Sequence, residues 1–488
     1  MVVFVDTQRL TADDWPNYVP TNNGYDKFGG KVALDGDRAA VSLTRGVDYF
    51  SGSVFLLQKQ TEHGHSRWTS QGIINAWDGD PFDRFGIDSI ALCRDTLVVG
   101  APYDDFYTNS GNPGAAYVFE FDNVNHVGTG TAIRSTATKL QPADVTSSSN
   151  YAFGSSVAIK NDIIIVGAKQ DNGSKEIPGS AYVFSKSKRP PTASTTGAIS
   201  SPWTQIAKLV ASDGEKGNQF GNAVALTPDF VVIGACGSSE EDNGAVYVFN
   251  SHSNNWSEEV KLVPPTTAST LFGYSVAAAG NTIIVGAPGT NNKKGAIFVF
   301  TSAKDTHAID GSRFWTLQAE LVPVDAVEND YFGISVDISV NTGDKNNNAV
   351  TTTIMAGARV QYTSQTHRTS LYRFEQSLPH EPQWTLVERI VPPLDAIPYS
   401  GFGRNFALSG DTLLVSNPGP GTMTSSEENL YVFERDGMPR PQTAAATTTD
   451  FNQRREQRNN ELSPWMNLLI SILILFIIQR VFLRNGVP

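Results

Sequence analysis

The dipeptide Phe-Gly recurs along this chain at Phe28-Gly29, Phe85-Gly86, Phe153-Gly154, Phe220-Gly221, Phe272-Gly273, Phe332-Gly333 and Phe402-Gly403. The steps run from about 50 to 70 residues, a period that belongs to propellers, solenoids and arrays. Each pair opens the same series of four strand-like pieces. The first follows Phe-Gly, as in "FGSSVAI"; the second is an apolar run such as "DIIIVGA", "DTLVVGAP", "DFVVIGAC" or "NTIIVGAP". The third reads "GSAYVF", "GAAYVF", "GAVYVF", "GAIFVF" or "NLYVF", and the fourth usually begins with Trp, as in "WTQIAKL", "WSEEVKL", "WTLQAEL" and "WTLVERI".

The connection between the first two pieces is a short polar turn, at Asp35-Gly36, Asn161-Asp162, Gly280-Asn281 and Gly410-Asp411. Such pairs accept the positive φ of two-residue hairpins, so the first two strands are antiparallel neighbours. The second piece is apolar at consecutive positions, as expected of a strand covered on both faces. The third alternates, placing Tyr182 and Phe184 on one face and Val183 on the other. A four-stranded sheet with two apolar faces must stack on similar sheets, and a ring of them leaves no face bare. Burying one phenylalanine is worth roughly 1.5–3 kcal/mol, so Phe28, Phe85, Phe153, Phe220, Phe272, Phe332 and Phe402 read as structural repeat positions.

The two ends of the repeat region complete one another. No Trp-led strand follows "NLYVFERDG", but "FVDTQRL" at residues 4–10 aligns with "WTQIAKL", with Phe4 in the place of Trp203 and Leu10 in that of Leu209. The N-terminal strand is therefore expected to complete the last blade and remove its unpaired edge. The expected fold is all-β: a seven-bladed β-propeller of four-stranded antiparallel blades over residues 1–436.

These residues resemble the FG-GAP repeat, the unit of the seven-bladed propeller at the head of integrin alpha subunits. The resemblance covers about residues 2–435, with the full "VGAP" at 99–102 and 285–288. It implies a recognition platform for a protein or glycan ligand, often at a cell surface. Integrin-type propellers carry calcium in an Asp-rich hairpin between the first two strands. Here those turns are too short, and in the one long example Asn341, Asp344, Asn346 and Asn348 do not fit that pattern. The reading therefore assigns no cofactor and no metal.

A net charge of −12 argues against a nucleic-acid partner, which normally requires a basic face. Two cysteines, Cys93 and Cys236, exclude a disulfide scaffold and read as unlinked thiols. The seven histidines lack the spacing of a zinc site. No nucleophile elbow or phosphate-binding glycine loop is present, so no catalytic residue is nominated and an enzyme is not expected. A propeller hydrolase is the enzymatic alternative, and a tail-anchored intracellular scaffold the structural one.

Loops carry function on rigid scaffolds. Hairpin topology sends the connections from strand four to strand one, and from two to three, to the same rim. The first set carries Asp78, Asp80, Asp83, Asp213, Glu215, Glu328 and Asp330; the second carries Asp104, Asp105, Asp171, Glu240, Glu241, Asp242, Glu427 and Glu428. Asp78, Asp80, Asp83, Asp104, Asp105, Asp171, Glu240, Glu241 and Asp242 form the candidate binding rim, expected to attract a cation or a basic partner.

Beyond the repeats, residues 437–463 have no apolar periodicity and read as a flexible polar linker. Residues 464–484 read as a single transmembrane helix, followed by a short tail at 485–488. The segment from Leu462 to Leu483 gives about 33 Å of helix against a hydrocarbon core of roughly 30 Å. The propeller would then be membrane-tethered, outside the cell by family resemblance, or cytosolic and tail-anchored if the chain begins at Met1.

Overall fold

The computed structural model describes residues 4–11, 28–43, 51–62, 65–104, 113–121, 136–144, 152–169, 178–187, 202–215, 217–237, 243–251, 256–265, 270–304, 313–341, 351–359, 369–376, 383–392, 401–418 and 429–435. The linker 437–463 and the expected transmembrane helix 464–484 lie outside them. Among the described residues, no helix is long and apolar enough to cross a membrane.

Among the described residues the strands form seven four-stranded sheets, or blades. Blades 1 to 6 are consecutive, at 28–74, 90–140, 153–209, 220–262, 275–321 and 335–390. Blade 3 shows the plan: an inner strand Phe153–Lys160, then Ile163–Ala168, Ser180–Lys186 and an outer strand Trp203–Leu209, each antiparallel to the next. Blade 7 combines residues 406–435 with the N-terminal strand Phe4–Thr11, which pairs antiparallel to Asn429–Arg435. Leu10 faces Leu430 and Phe4 faces Arg435, the positions that Leu209 and Trp203 hold opposite Ala181 and Lys186 in blade 3. The alignment of residues 4–10 with 203–209 therefore holds residue for residue.

The seven inner strands touch in a closed series, with that of blade 1 against those of both blade 2 and blade 7. Among the described residues the core divides into seven apolar clusters, each shared by two successive blades. One of them joins Leu10, Leu414, Leu430 and Val432 of blade 7 to Phe28, Val41, Phe55 and Trp68 of blade 1. The ring is closed. The alternation of the third strand feeds this arrangement: Tyr182 and Phe184 enter the cluster shared with blade 2, while Ala181 and Val183 enter the one shared with blade 4.

The Phe-Gly pair works at the seam between blades. All seven phenylalanines are fully buried, and each ring packs against an aromatic of its own blade's third strand, as Phe153 does edge-on against Tyr182 at 5.5 Å. At Phe85, Phe153, Phe220, Phe272 and Phe332 the backbone N–H also serves the preceding blade, with Phe153 N donating to Pro113 O at 3.0 Å and Phe220 N to Pro178 O at 2.9 Å. The following glycine holds positive φ, 96° at Gly154, and a Cβ there would lie 2.2 Å from Ala115 O.

Two further devices bind neighbouring blades. A Cβ on Gly167, in "VGA", would meet Gly221 O of the next blade at 2.1 Å, so this glycine permits the close approach of blades 3 and 4. Alongside it, inner-strand serines donate to the next blade's Phe-Gly carbonyl: Ser89 to Gly154 O and Ser156 to Gly221 O at 2.7 Å, and Ser275 to Gly333 O at 2.8 Å.

The first hairpin departs by one residue from its expected position. Asp35 still pairs with Arg38, and the turn is Gly36-Asp37, because Gly36 takes the positive φ of 57° that the corner needs. Arg94 fills the same corner in blade 2 at φ 52°. Cys93 and Cys236 are both buried and unlinked.

Candidate functional site

The strand-four-to-one and strand-two-to-three connections meet on one rim, and Tyr117 marks the meeting. Its hydroxyl donates, one at a time, to Asp78 Oδ1 in the first kind of connection and Asp104 Oδ1 in the second, each 2.8 Å away. Lys139 Nζ lies 2.8 Å from Asp78 Oδ2 and 2.7 Å from Asp104 Oδ2, and 5.4 Å over the Tyr117 ring.

This clamp repeats because register puts the third-strand tyrosine directly opposite a fourth-strand cation. The facing pairs are Tyr117 and Lys139, Tyr182 and Lys208, Tyr247 and Lys261, Tyr372 and Arg389, and Tyr431 and Arg9. In blade 3, Tyr182 and Lys208 both bond Asp144; in blade 4, Tyr247 and Lys261 reach Asp213 at 2.7 and 2.6 Å. In blade 6, Arg389 reaches Asp325 at 2.6 Å. Blade 5 places Phe298 opposite Glu320 and cannot build the clamp.

The electrostatics follow. Burial pushes the Asp78 carboxyl up, but hydrogen bonds from Lys139 and Tyr117 and the charge of Lys139 outweigh it and hold the group below the usual carboxylate range. Asp144 behaves alike, with Lys208 and Tyr182 outweighing burial. At Asp213 the hydrogen bonds from Lys261 and Tyr247 lead and lower it. The tyrosines move the other way: burial first, then the neighbouring carboxylates, raise Tyr117 and Tyr247.

Of the candidate rim residues, Asp78 and Asp104 are thus brought together, on one tyrosine and one lysine. Asp83 is buried and closes its own turn, its Oδ2 accepting from Asp80 N at 2.6 Å; Asp330 does the same for Val327 N at 2.8 Å. The Asp80 side chain is exposed. Asp105, Asp171, Glu240, Glu241 and Asp242 lie outside the described residues. Among the described residues, no group of three or more His, Cys, Asp or Glu side chains is placed to hold a metal ion.

What the rim presents is more aromatic than acidic residue counts suggest. Trp77, edge-on to Tyr117 at 4.9 Å, remains 54% exposed, and Phe82 is 40% exposed. Phe82 and Arg84 both hold positive φ, 75° and 59°, an unfavourable backbone that the surrounding loop imposes. The Arg84 guanidinium stacks 5.2 Å over Tyr103 and bonds Asp88 at 2.8 Å. Away from the rim, a cleft of about 580 Å³ is lined by residues of the outer strands of blades 7 and 1, Thr7, Arg9, Ser66, Arg67 and Thr69 among them.

With this geometry in place, comparison with known proteins identifies the repeat. The FG-GAP repeat family matches at residues 68–119, 135–184, 203–249, 256–300 and 315–342. This chain is an FG-GAP repeat propeller. The first four matches run from the fourth strand of one blade, or just before it, to the third strand of the next, so the family repeat straddles the seam that the Phe-Gly pair occupies. No curated protein matches the FG-GAP chain in sequence. Among solved structures it is similar to a candidate 6-phosphogluconolactonase from Bacteroides uniformis ATCC 8492, at 10% identity and a TM-score of 0.43 over 80% of this chain and 96% of that one. It is also similar to Sqt1 of Chaetomium thermophilum, at 12% identity and a TM-score of 0.43 over 84% of this chain and 95% of that one. The same protein bound to the N-terminus of ribosomal protein L10 gives 12% identity and a TM-score of 0.42, over 84% and 97%. All three likenesses are remote.

Proposed function

We propose that this FG-GAP propeller is a protein-binding platform that engages its partner on the rim where the two loop sets converge. The carrying observation is the pair Trp77 and Phe82, exposed on a rim whose described acids are largely tied up by Tyr–Asp–Lys clamps and turns. Exposed aromatics beside an arginine, on a backbone already fixed, are the usual composition of a binding hot spot. The clamps hold the loops in place before any partner arrives, which lowers the ordering cost of association.

The apolar stretch at 464–484 supports a second part of the proposal: the platform is tethered to a membrane and serves recognition or adhesion there. Carbonate extraction of the full chain tests the tether, and mobility after glycosidase treatment tests the side on which the propeller sits.

Proximity labelling in intact cells, followed by crosslinking of the partner to purified full-length chain, tests the platform. Trp77→Ala with Phe82→Ser is expected to reduce crosslinking about tenfold. Phe314→Ala, which removes an exposed aromatic from the outer strand of blade 5, is expected to leave it unchanged. Equal crosslinking by all three proteins overturns the rim assignment. Turnover in a glycoside and phosphoester panel, lost on mutating rim residues, would favour a hydrolase.

A further inference from the structure

One cross-strand row is charged in blade 6 and uncharged in the other six blades. It runs through the centre of each blade on the face turned to the next one. In blade 3 the row is Ala158, Ile165, Val183 and Ala207, each opposite the one before. Ile165 and Val183 accordingly enter the cluster shared with blade 4. The first place in the row is alanine in six blades, at Ala33, Ala91, Ala158, Ala225, Ala277 and Ala407. In blade 6 the row is Asp337, Met355, Arg373 and Glu388, and Met355 enters the cluster shared with blade 7.

Polar contacts therefore take a share of this seam that apolar packing holds elsewhere. Asp337 is half-buried, but its carboxylate turns into the seam. Oδ2 accepts from Leu408 N of blade 7 at 2.9 Å, and Oδ1 from Ile338 N at 2.8 Å. Arg373 is buried and neutralised within blade 6, by Glu375 at 3.1 Å and Glu388 at 3.0 Å. Arg435 of blade 7 shares Glu375 at 2.8 Å. No such cation reaches Asp337. Among the described residues, the strands packed against Ser335–Asn341 are Ser275–Ala279 and Thr282–Ala287 of blade 5, Thr351–Ala358 of blade 6 and Phe406–Ser409 of blade 7. None of these strands carries an ionisable side chain, and neither does the rest of Ser335–Asn341. The first cation along the row, Arg373, lies beyond Met355. Burial raises the Asp337 carboxyl to about 6 against its two backbone hydrogen bonds.

We propose that the seam between blades 6 and 7 is a pH-sensitive joint of the ring, which loosens as the Asp337 carboxyl gives up its proton. An ionised carboxylate held in the seam without a cation is unfavourable, and opening returns it to water. A carboxyl raised in the closed seam holds that seam most firmly below its open-state value, and the contribution is lost as pH rises through about 6. Every other blade has alanine at this place and offers no group to ionise there. The joint does not depend on what the loop rim binds.

Hydrogen–deuterium exchange of the full-length chain at pH 5 and 7.5 tests it, corrected for the intrinsic pH dependence of exchange. Phe406–Ser409, the inner strand of blade 7, reports on the joint. Phe220–Leu226, the inner strand that blade 4 sets against the apolar row of blade 3, is the control. Protection of Phe406–Ser409 is expected to fall about tenfold from pH 5 to 7.5, as a carboxyl ionising near 6 when closed and near 4 when open requires. Protection of Phe220–Leu226 should stay within about twofold. Asp337→Asn and Asp337→Ala, the second of which installs the residue of the other six blades, should each abolish the fall at Phe406–Ser409. Either variant that folds is sufficient. A fall confined to Phe406–Ser409 and absent from the variant supports the joint. Equal falls in both segments, no fall in either, or a fall that persists without the Asp337 carboxyl overturns it.

Discussion

The Gln8 side chain forms a two-point hydrogen-bonded bridge to the backbone of Trp68: Oε1 accepts from Trp68 N at 2.8 Å, and Nε2 donates to Trp68 O at 3.0 Å. An amide side chain here reproduces a strand-to-strand pairing between the outer strands of blades 7 and 1. The bridge spans the point where the ring closes, beside the cluster that joins Leu10 to Trp68. Lys59 and Glu434 add an ion pair at 3.0 Å across the same seam.

Gln8→Ala is expected to destabilise the propeller by about 2 kcal/mol, since two partly buried backbone groups lose their partners. Urea midpoints of the full chain measure this. Gln8→Glu should cost more at neutral pH, because a carboxylate cannot donate to Trp68 O, and should recover part of the loss once acid protonates it.

The two kinds of glycine should separate sharply. Gly167→Ala forces a Cβ to within 2.1 Å of Gly221 O and 2.2 Å of Ser156 Oγ, wedging blades 3 and 4 apart. A loss of about 3 kcal/mol or more is expected, at the upper end of overpacking costs. Gly280→Ala meets nothing within 4 Å but must hold φ 56°, which costs about 1–2 kcal/mol. Denaturant midpoints of the two variants give the comparison.

The clamps should differ by burial. Lys139→Met leaves Asp104, nearly inaccessible, without its cation, and a loss of about 3 kcal/mol is expected. Lys261→Met leaves an exposed Asp213 and should cost less than about 1 kcal/mol. The sign with pH follows from the depressed Asp78 carboxyl. Its contribution is present above the unfolded carboxylate range and is lost as pH falls through its lowered value. The gap between wild type and Lys139→Met, read by thermal melting, should therefore narrow below about pH 4.

Asp337 gives the opposite sign in a separate window. Its carboxylate accepts from Leu408 N at 2.9 Å, across the seam to blade 7, and from Ile338 N at 2.8 Å. Burial raises its pKa to about 6 in spite of those bonds. A raised folded value contributes stability that is full below the unfolded pKa and is lost as pH rises through about 6. The advantage of wild type over Asp337→Asn should shrink between pH 4 and 7 by up to about 3 kcal/mol. Urea midpoints across that range measure it.

The fold was legible because its repeat unit is written in residues with one structural use each. Phe-Gly marks the seam, the consecutive apolar run marks a strand covered on both faces, and Tyr182 and Phe184 alternate with Val183 to serve two interfaces. Even the ring closure could be read, since "FVDTQRL" aligns with "WTQIAKL" and Leu10 and Leu209 hold equivalent register positions. The rim was harder. Counting Asp78, Asp104 and Asp213 as surface acid overlooks the Lys-Leu that ends "TATKL", "IAKL" and "EVKL", where register sets the lysine against a tyrosine. That signal lies in the strand, not in the loop that it neutralises. Trp77 and Phe82 carry no pattern at all, because exposure of a loop aromatic depends on packing that no local spacing encodes.

Closure of the ring by its own first strand is the claim on which the rim of converging loops depends. Hydrogen–deuterium exchange of the segment Asn429–Arg435 tests it most directly, in the full chain and in a chain lacking residues 1–11. The closed ring predicts slow uptake in the full chain and rapid uptake in the shortened one, as the last blade loses its outer strand. Equal protection of that segment in both proteins would contradict it.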